Sequence, residues 1–87
     1  MAQTVTECLT NALDSVNLIN DVNTNGSDSD YVAEGATQTE INELVQKNVD
    51  HLEIILAYTN PDVAGSSDDK SSYNNAIKTG NAYIAAN

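Results

Sequence analysis

The chain contains no arginine, no tryptophan and no phenylalanine, and one each of cysteine, histidine, proline and methionine among 87 residues. Each shortage excludes something. Thirteen acids face three lysines, a formal net charge of −10. No basic face can be assembled from that set, so direct binding to nucleic-acid phosphates is not expected. The same deficit opposes docking on anionic membranes. Cys8 is the single cysteine, so no disulfide forms within the chain. His51 is the single histidine, which leaves too few nitrogen and sulfur ligands for zinc. No apolar run approaches the roughly 20 residues of a transmembrane helix. The first residues show no basic region before an apolar core, so no signal peptide is expected.

What is present is aliphatic: six Leu, six Ile and seven Val. A core built from these is small, and a chain of this length reads as one helical domain, residues 1–87. Small cores are often completed by oligomerisation or by docking on a larger partner.

The longest periodic segment is EINELVQKNVDHLEIILAY, residues 40–58. Ile41, Leu44, Val45, Val49, Leu52, Ile55 and Leu56 repeat at i, i+3, i+4, i+7, which lays them on one helical face. Ile54 lies off that stripe and is expected to widen it. Asn48 falls inside the stripe, where it either fixes register or sits at the rim. Thr37 and Glu40 have the T-x-x-E spacing of a capping box. Pro61 ends the helical pattern. Glu43 and Lys47 form a favourable i, i+4 pair.

A first helix is expected over about 4–19. Thr4 and Glu7 repeat the T-x-x-E pattern, and Val5, Cys8, Leu9, Ala12, Leu13, Val16 and Ile19 make its stripe. Cys8 on that stripe reads as a packed thiol. A third helix is expected over about 67–85. Ser66 or Ser67 caps it, Asp68 and Asp69 charge its first turn, and Tyr73, Ala76, Ile77, Gly80 and Ile84 make its stripe. Gly80 either permits close helix packing or breaks the helix. Residues 20–38 form a long polar loop, in which Tyr31 and Val32 are the candidate anchors. The fold class is therefore all-α, a small antiparallel three-helix bundle with a long polar loop between helices 1 and 2.

One local pattern has metal logic. Asp21-Val22-Asn23-Thr24-Asn25-Gly26 matches the first six positions of a calcium loop, D-x-D/N-x-D/N-G. Asp21, Asn23, Asn25 and Ser27 are its candidate ligands. Val32 stands where the bidentate acid of such a loop belongs, so Ca2+ is the one cofactor considered and a polar linker is the plainer reading. Otherwise no cofactor is expected.

For catalysis the ingredients are scattered. His51 lies beside Asp50, off the main stripe, and reads as an exposed surface residue. No phosphate loop or dinucleotide fingerprint occurs. An enzyme is not expected. The four tyrosines are the sole aromatics. Tyr58, Tyr73 and Tyr83, with Ile77 and Ile84, are the candidate protein interface, since tyrosine is enriched at such surfaces.

The run HLEIILAYTNPDVAGSSDDKSSYNNAI followed by TGNAYIAAN, from His51 onward, resembles small proteins of tailed phages of marine cyanobacteria and related marine bacteria. That resemblance implies a virion component or accessory protein without a cofactor, located in the virion or the host cytoplasm. The expected function is non-enzymatic and structural, an acidic helical protein that packs against itself as a homo-oligomer or against larger virion proteins. Two alternatives belong to other classes. One is an acidic inhibitor that mimics nucleic acid and binds a basic host protein. The other is a calcium-binding helical module.

Overall fold

The computed structural model describes residues 4–87. Among them the secondary structure is helical throughout. Helix α1 spans Val5–Asn25, α2 Gln38–Ala57, α3 Pro61–Ala64 and α4 Ser67–Ala86, with a single 3-10 turn at Gly26–Asp28 after α1. The three long helices each touch the other two.

Side-chain contacts set their directions. Ser15 in the middle of α1 meets Asn48 in the middle of α2, and Gln38 at the start of α2 meets Tyr83 near the end of α4. The second contact makes α4 antiparallel to α2, and the first places α1 against the middle of α2. Ile19 lies beside Gly80, and Val5 and Leu9 share a groove with Ser66 and Asp69. So α1 and α4 run parallel to each other, which makes α1 antiparallel to α2 as well, in an up-down-up bundle.

The helix starts follow their local sequence. Thr37 Oγ1 accepts from the Glu40 N–H at 3.1 Å, and Glu40 Oε1 accepts from the Thr37 N–H at 2.9 Å. Ser66 and Asp69 form the same reciprocal box at 3.1 and 3.0 Å, which selects Ser66 as the cap. Thr4 Oγ1 accepts from the Glu7 N–H at 3.2 Å, one half of the expected box. Each cap satisfies amides that an isolated helix end leaves without partners.

The ends depart further from expectation. Helix α1 runs six residues beyond Ile19, to Asn25. Asparagine is a weak helix former, but the deficit is a few tenths of a kcal/mol per residue, and Val22 is fully buried. Burial of Val22 outweighs the propensity. Gly26, at φ +57, ends the helix and donates its N–H to Val22 O. The loop shrinks accordingly. Val32 and Ala36 pack against the core from within it, while Tyr31 stays exposed. Pro61 opens a one-turn helix, capped by Asn60, whose Oδ1 accepts from the Asp62 N–H.

The core contains Cys8, Ala12, Val16, Leu18, Ile19 and Val22 of α1, Ile41, Val45, Val49, Leu52 and Ile55 of α2, and Tyr73, Ala76 and Tyr83 of α4. Four stripe assignments change, the first being Val5, which is exposed at the start of α1. Leu13 points outward, and Leu18 takes an inner position. Ile54 is exposed and does not widen the α2 stripe. Helix α4 is unbroken at Gly80, which is buried against α2. Among the described residues Glu43 and Lys47 do not close an ion pair.

Candidate interaction surface

The calcium-loop residues are placed by the extension of α1. Asp21, Asn23 and Asn25 all lie on helix, where successive residues are turned about 100° apart. Asp21 and Asn25 share a face, and the Asn25 amide donates to Asp21 Oδ1 at 3.0 Å. Asn23 is exposed on another face, and exposed Ser27 falls in the 3-10 turn. The oxygens therefore do not wrap a common point as a calcium loop requires. The second Asp21 oxygen accepts from the Ser29 hydroxyl at 2.5 Å. Ser29 Oγ accepts in turn from the Tyr31 N–H. Asp21 thus ties the loop back onto α1. No group of three His, Cys, Asp or Glu residues suited to a metal occurs among the described residues.

The proposed tyrosine interface divides. Tyr73 is 4% exposed and Tyr83 9%, so both rings belong to the core. Gln38 Nε2 donates to the Tyr83 hydroxyl at 3.0 Å, which keeps that polar tip satisfied at the core edge. Burial pushes the Tyr73 hydroxyl pKa up, and the neighbouring Asp69 charge adds to the shift. Ile77 and Ile84 are partly covered flanks of the core. Tyr58 alone stands out, 48% exposed, in extended backbone at the end of α2.

Three of the outward apolar residues are ones that periodicity assigned inward. Leu13 is 56% exposed on α1 and Ile54 58% exposed on α2, one turn before Tyr58. Val5 is also exposed, at the start of α1. These positions, rather than Tyr73 and Tyr83, are the apolar surface available to a partner. Leu13 and Leu18 stand about 140° apart on the helix, so the centre of the stripe decides between them, and the continuation of α1 that buries Val22 moves that centre toward Leu18.

His51 is half-buried rather than on the open surface. Its Nε2 is enclosed and has no hydrogen-bond partner. It lines a groove between α1 and α2 with Asn11, Ser15, Leu44, Lys47 and Asn48. Ser15 is buried, and its hydroxyl donates to Asn48 Oδ1 at 2.9 Å. Asn48 Nδ2 donates to Leu44 O at 2.8 Å. Asn48 therefore sits partly inside, paired across the α1–α2 seam. The Ser15 proton is committed to Asn48 and not to His51, so this trio lacks the nucleophile–base hydrogen bond of a hydrolytic site.

No helix of the described residues is long and apolar enough to cross a membrane. No family model, no curated protein and no solved structure matches the chain.

Proposed function

We propose that this chain is a non-enzymatic structural or interaction protein. It packs against a second copy or against larger assembly proteins through apolar positions that its own bundle leaves uncovered. The observation that carries this reading is the outward placement of Leu13, Ile54 and Tyr58 on a bundle whose interior is otherwise closed. Full burial of one such side chain is worth about 1.5–3 kcal/mol, a large increment for so small a domain. The high negative charge keeps unassembled subunits apart and soluble. The resemblance of the segment from His51 onward to small marine-phage proteins points to a virion component as the setting.

Acidic residues occur on every helix and in the loop. That spread favours a solvated surface over a single charged face built to imitate nucleic acid, so mimicry is not adopted. The helical placement of Asp21, Asn23 and Asn25 gives the calcium module no support.

Light scattering behind a sizing column, at physiological salt, tests the self-packing form. The expected result is a defined oligomer that falls to monomer mass in the variant Leu13→Ser/Ile54→Ser, with helical content retained and a melting temperature that no longer depends on concentration. A wild-type monomer at every concentration removes self-packing and leaves packing on a different protein.

A further inference from the structure

Asn25–Gly26 is the one asparagine–glycine bond in a chain of twelve asparagines. Such a bond carries its own chemistry. The glycine nitrogen can attack the asparagine Cγ, because no Cβ on the glycine blocks the approach. A C–N bond forms, the side-chain nitrogen leaves as ammonia, and a five-membered succinimide remains. Water then opens the ring at either carbonyl. One product is aspartate, and the other is an isoaspartyl link whose main chain runs through the former side chain. In both cases asparagine and water give a carboxylate and ammonia, with no change of oxidation state.

The fold holds this bond at the C-terminal end of α1, and three features there oppose ring closure. Asn25 has ψ −14, so the Gly26 nitrogen nearly eclipses the backbone nitrogen of Asn25 rather than its Cβ. The ring requires the reverse. The Gly26 N–H is spent on Val22 O, and Val22 is fully buried. The Asn25 amide is turned back one helical turn, where Nδ2 donates to Asp21 Oδ1 at 3.0 Å. Asp21 is itself held by the Ser29 hydroxyl. Each of these locks belongs to the last turn of the helix, and helix ends open far more readily than cores. Asn25 is exposed, so water reaches its Cγ once that turn unwinds.

We propose that Asn25–Gly26 is a self-modification site gated by the last turn of α1, and that its product keeps the gate open. The new carboxylate replaces an N–H donor opposite Asp21 with a like charge at i, i+4. It also adds an anion at a helix C-terminus, where the dipole disfavours it. The isoaspartyl form lengthens the main chain by a methylene, which shifts the Gly26 N–H out of register with Val22 O. The modified end therefore loosens the tether from Asp21 to the loop, and no reverse step restores the amide. The site does not depend on the docking reading, and its failure would leave Leu13, Ile54 and Tyr58 untouched.

The whole chain is incubated in mildly alkaline buffer, folded or unfolded in guanidinium chloride. The modified fraction at each asparagine is followed by peptide mapping and isoaspartyl methyltransferase labelling. Conversion at residue 25 is expected to be at least about tenfold faster in the unfolded chain, and to lead all other asparagines there. Equal rates with and without denaturant overturn the gate, and faster conversion at another asparagine overturns the site. In native buffer Asp21→Ala, which frees the Asn25 amide, should raise the rate about threefold. Ser15→Ala, which loosens the α1–α2 seam elsewhere, should leave it unchanged. A wild-type rate in Asp21→Ala, or equal acceleration in both variants, overturns opening of the last turn as the control. Asn25→Asp supplies the aspartyl product directly and should lower hydrogen-exchange protection of the Gly26 N–H about threefold. Unchanged protection overturns the claim that the product keeps the gate open.

Discussion

Gly80 lies so close to Val49 that a Cβ at position 80 would stand 2.5 Å from Val49 Cγ2. Val45 Cγ1 would be 3.2 Å away and Ile19 Cγ2 3.4 Å. The missing side chain lets α4 close on α1 and α2 at once.

Gly80→Ala therefore sets two effects against each other. Alanine gains about 1 kcal/mol in helix propensity. Overpacking a filled core costs about 1–3 kcal/mol. All three contacted atoms are on stiff β-branched side chains of buried residues, so the loss wins. Urea denaturation should show a net loss of up to about 2 kcal/mol. In Gly80→Ala/Val49→Ala the two changes should be coupled favourably by about 0.5–3 kcal/mol. A stabilised single variant would refute the close contact.

The Ser15–Asn48 hydrogen bond predicts a non-additive pair. Ser15→Ala leaves the half-buried Asn48 Oδ1 without its donor and should cost about 1–3 kcal/mol. Ser15→Ala/Asn48→Leu removes both polar groups and should recover most of that loss. Denaturant midpoints of the two variants check this. Additive losses would mean that the pair does not hold the α1–α2 seam.

The Thr37–Glu40 box gives a pH dependence. Hydrogen bonds to the Thr37 backbone, and then to its side chain, hold the Glu40 carboxyl below its usual range. Its folded pKa is thus below its unfolded value of about 4.3. That stabilisation is present above the unfolded value and is lost as pH falls through the folded one. Tyr73 has the opposite sign of shift, from burial first and Asp69 second. Its contribution is complete below about pH 10 and is lost as pH rises through the higher folded value. Glu40→Gln should flatten the acid limb of a pH–melting curve, and Tyr73→Phe the alkaline limb.

Asp21 acts as a tether in this structure, so its removal should destabilise with or without metal. Asp21→Ala frees the Ser29 hydroxyl and the Asn25 amide and should cost about 1–2 kcal/mol. The wild-type melting temperature should be the same in millimolar calcium and in a chelator. A calcium-dependent rise, lost in Asp21→Ala, would restore the metal reading.

The core tyrosines separate stability from association. Tyr83→Ala should cost about 3–5 kcal/mol, as large-to-small core changes of aromatic residues do. Tyr58→Ala should leave the melting temperature of the dilute monomer almost unchanged and weaken assembly. Light scattering and calorimetry on the two variants distinguish these roles. Equal destabilisation by both would refute the division.

Much of the fold was legible in the sequence because the relevant signals are local. Thr37–Glu40 and the acids at 68 and 69 mark helix starts through contacts within one turn. The α2 stripe from Ile41 to Ile55 reads directly as a buried face. The end of α1 was not legible. Three asparagines and an Asn-Gly pair argue for a loop after residue 20, and only contacts with distant residues bury Val22 and continue the helix. The calcium pattern depended on the same expectation, since its loop geometry exists only if residues 21–25 leave the helix.

The sequence by itself determined the class, the three long helices and the Thr37–Glu40 reciprocal cap, because 3.6-residue periodicity and capping act over a few residues. Tertiary structure decided the width and rotation of each buried stripe. A helix touching two neighbours covers an arc that depends on where both neighbours stand. That arc took Leu18 and left Leu13, took Tyr73 and Tyr83 and left Ile54 and Tyr58. It also brought Asn11 and Ser15 to His51, residues of separate helices that no spacing along the chain connects.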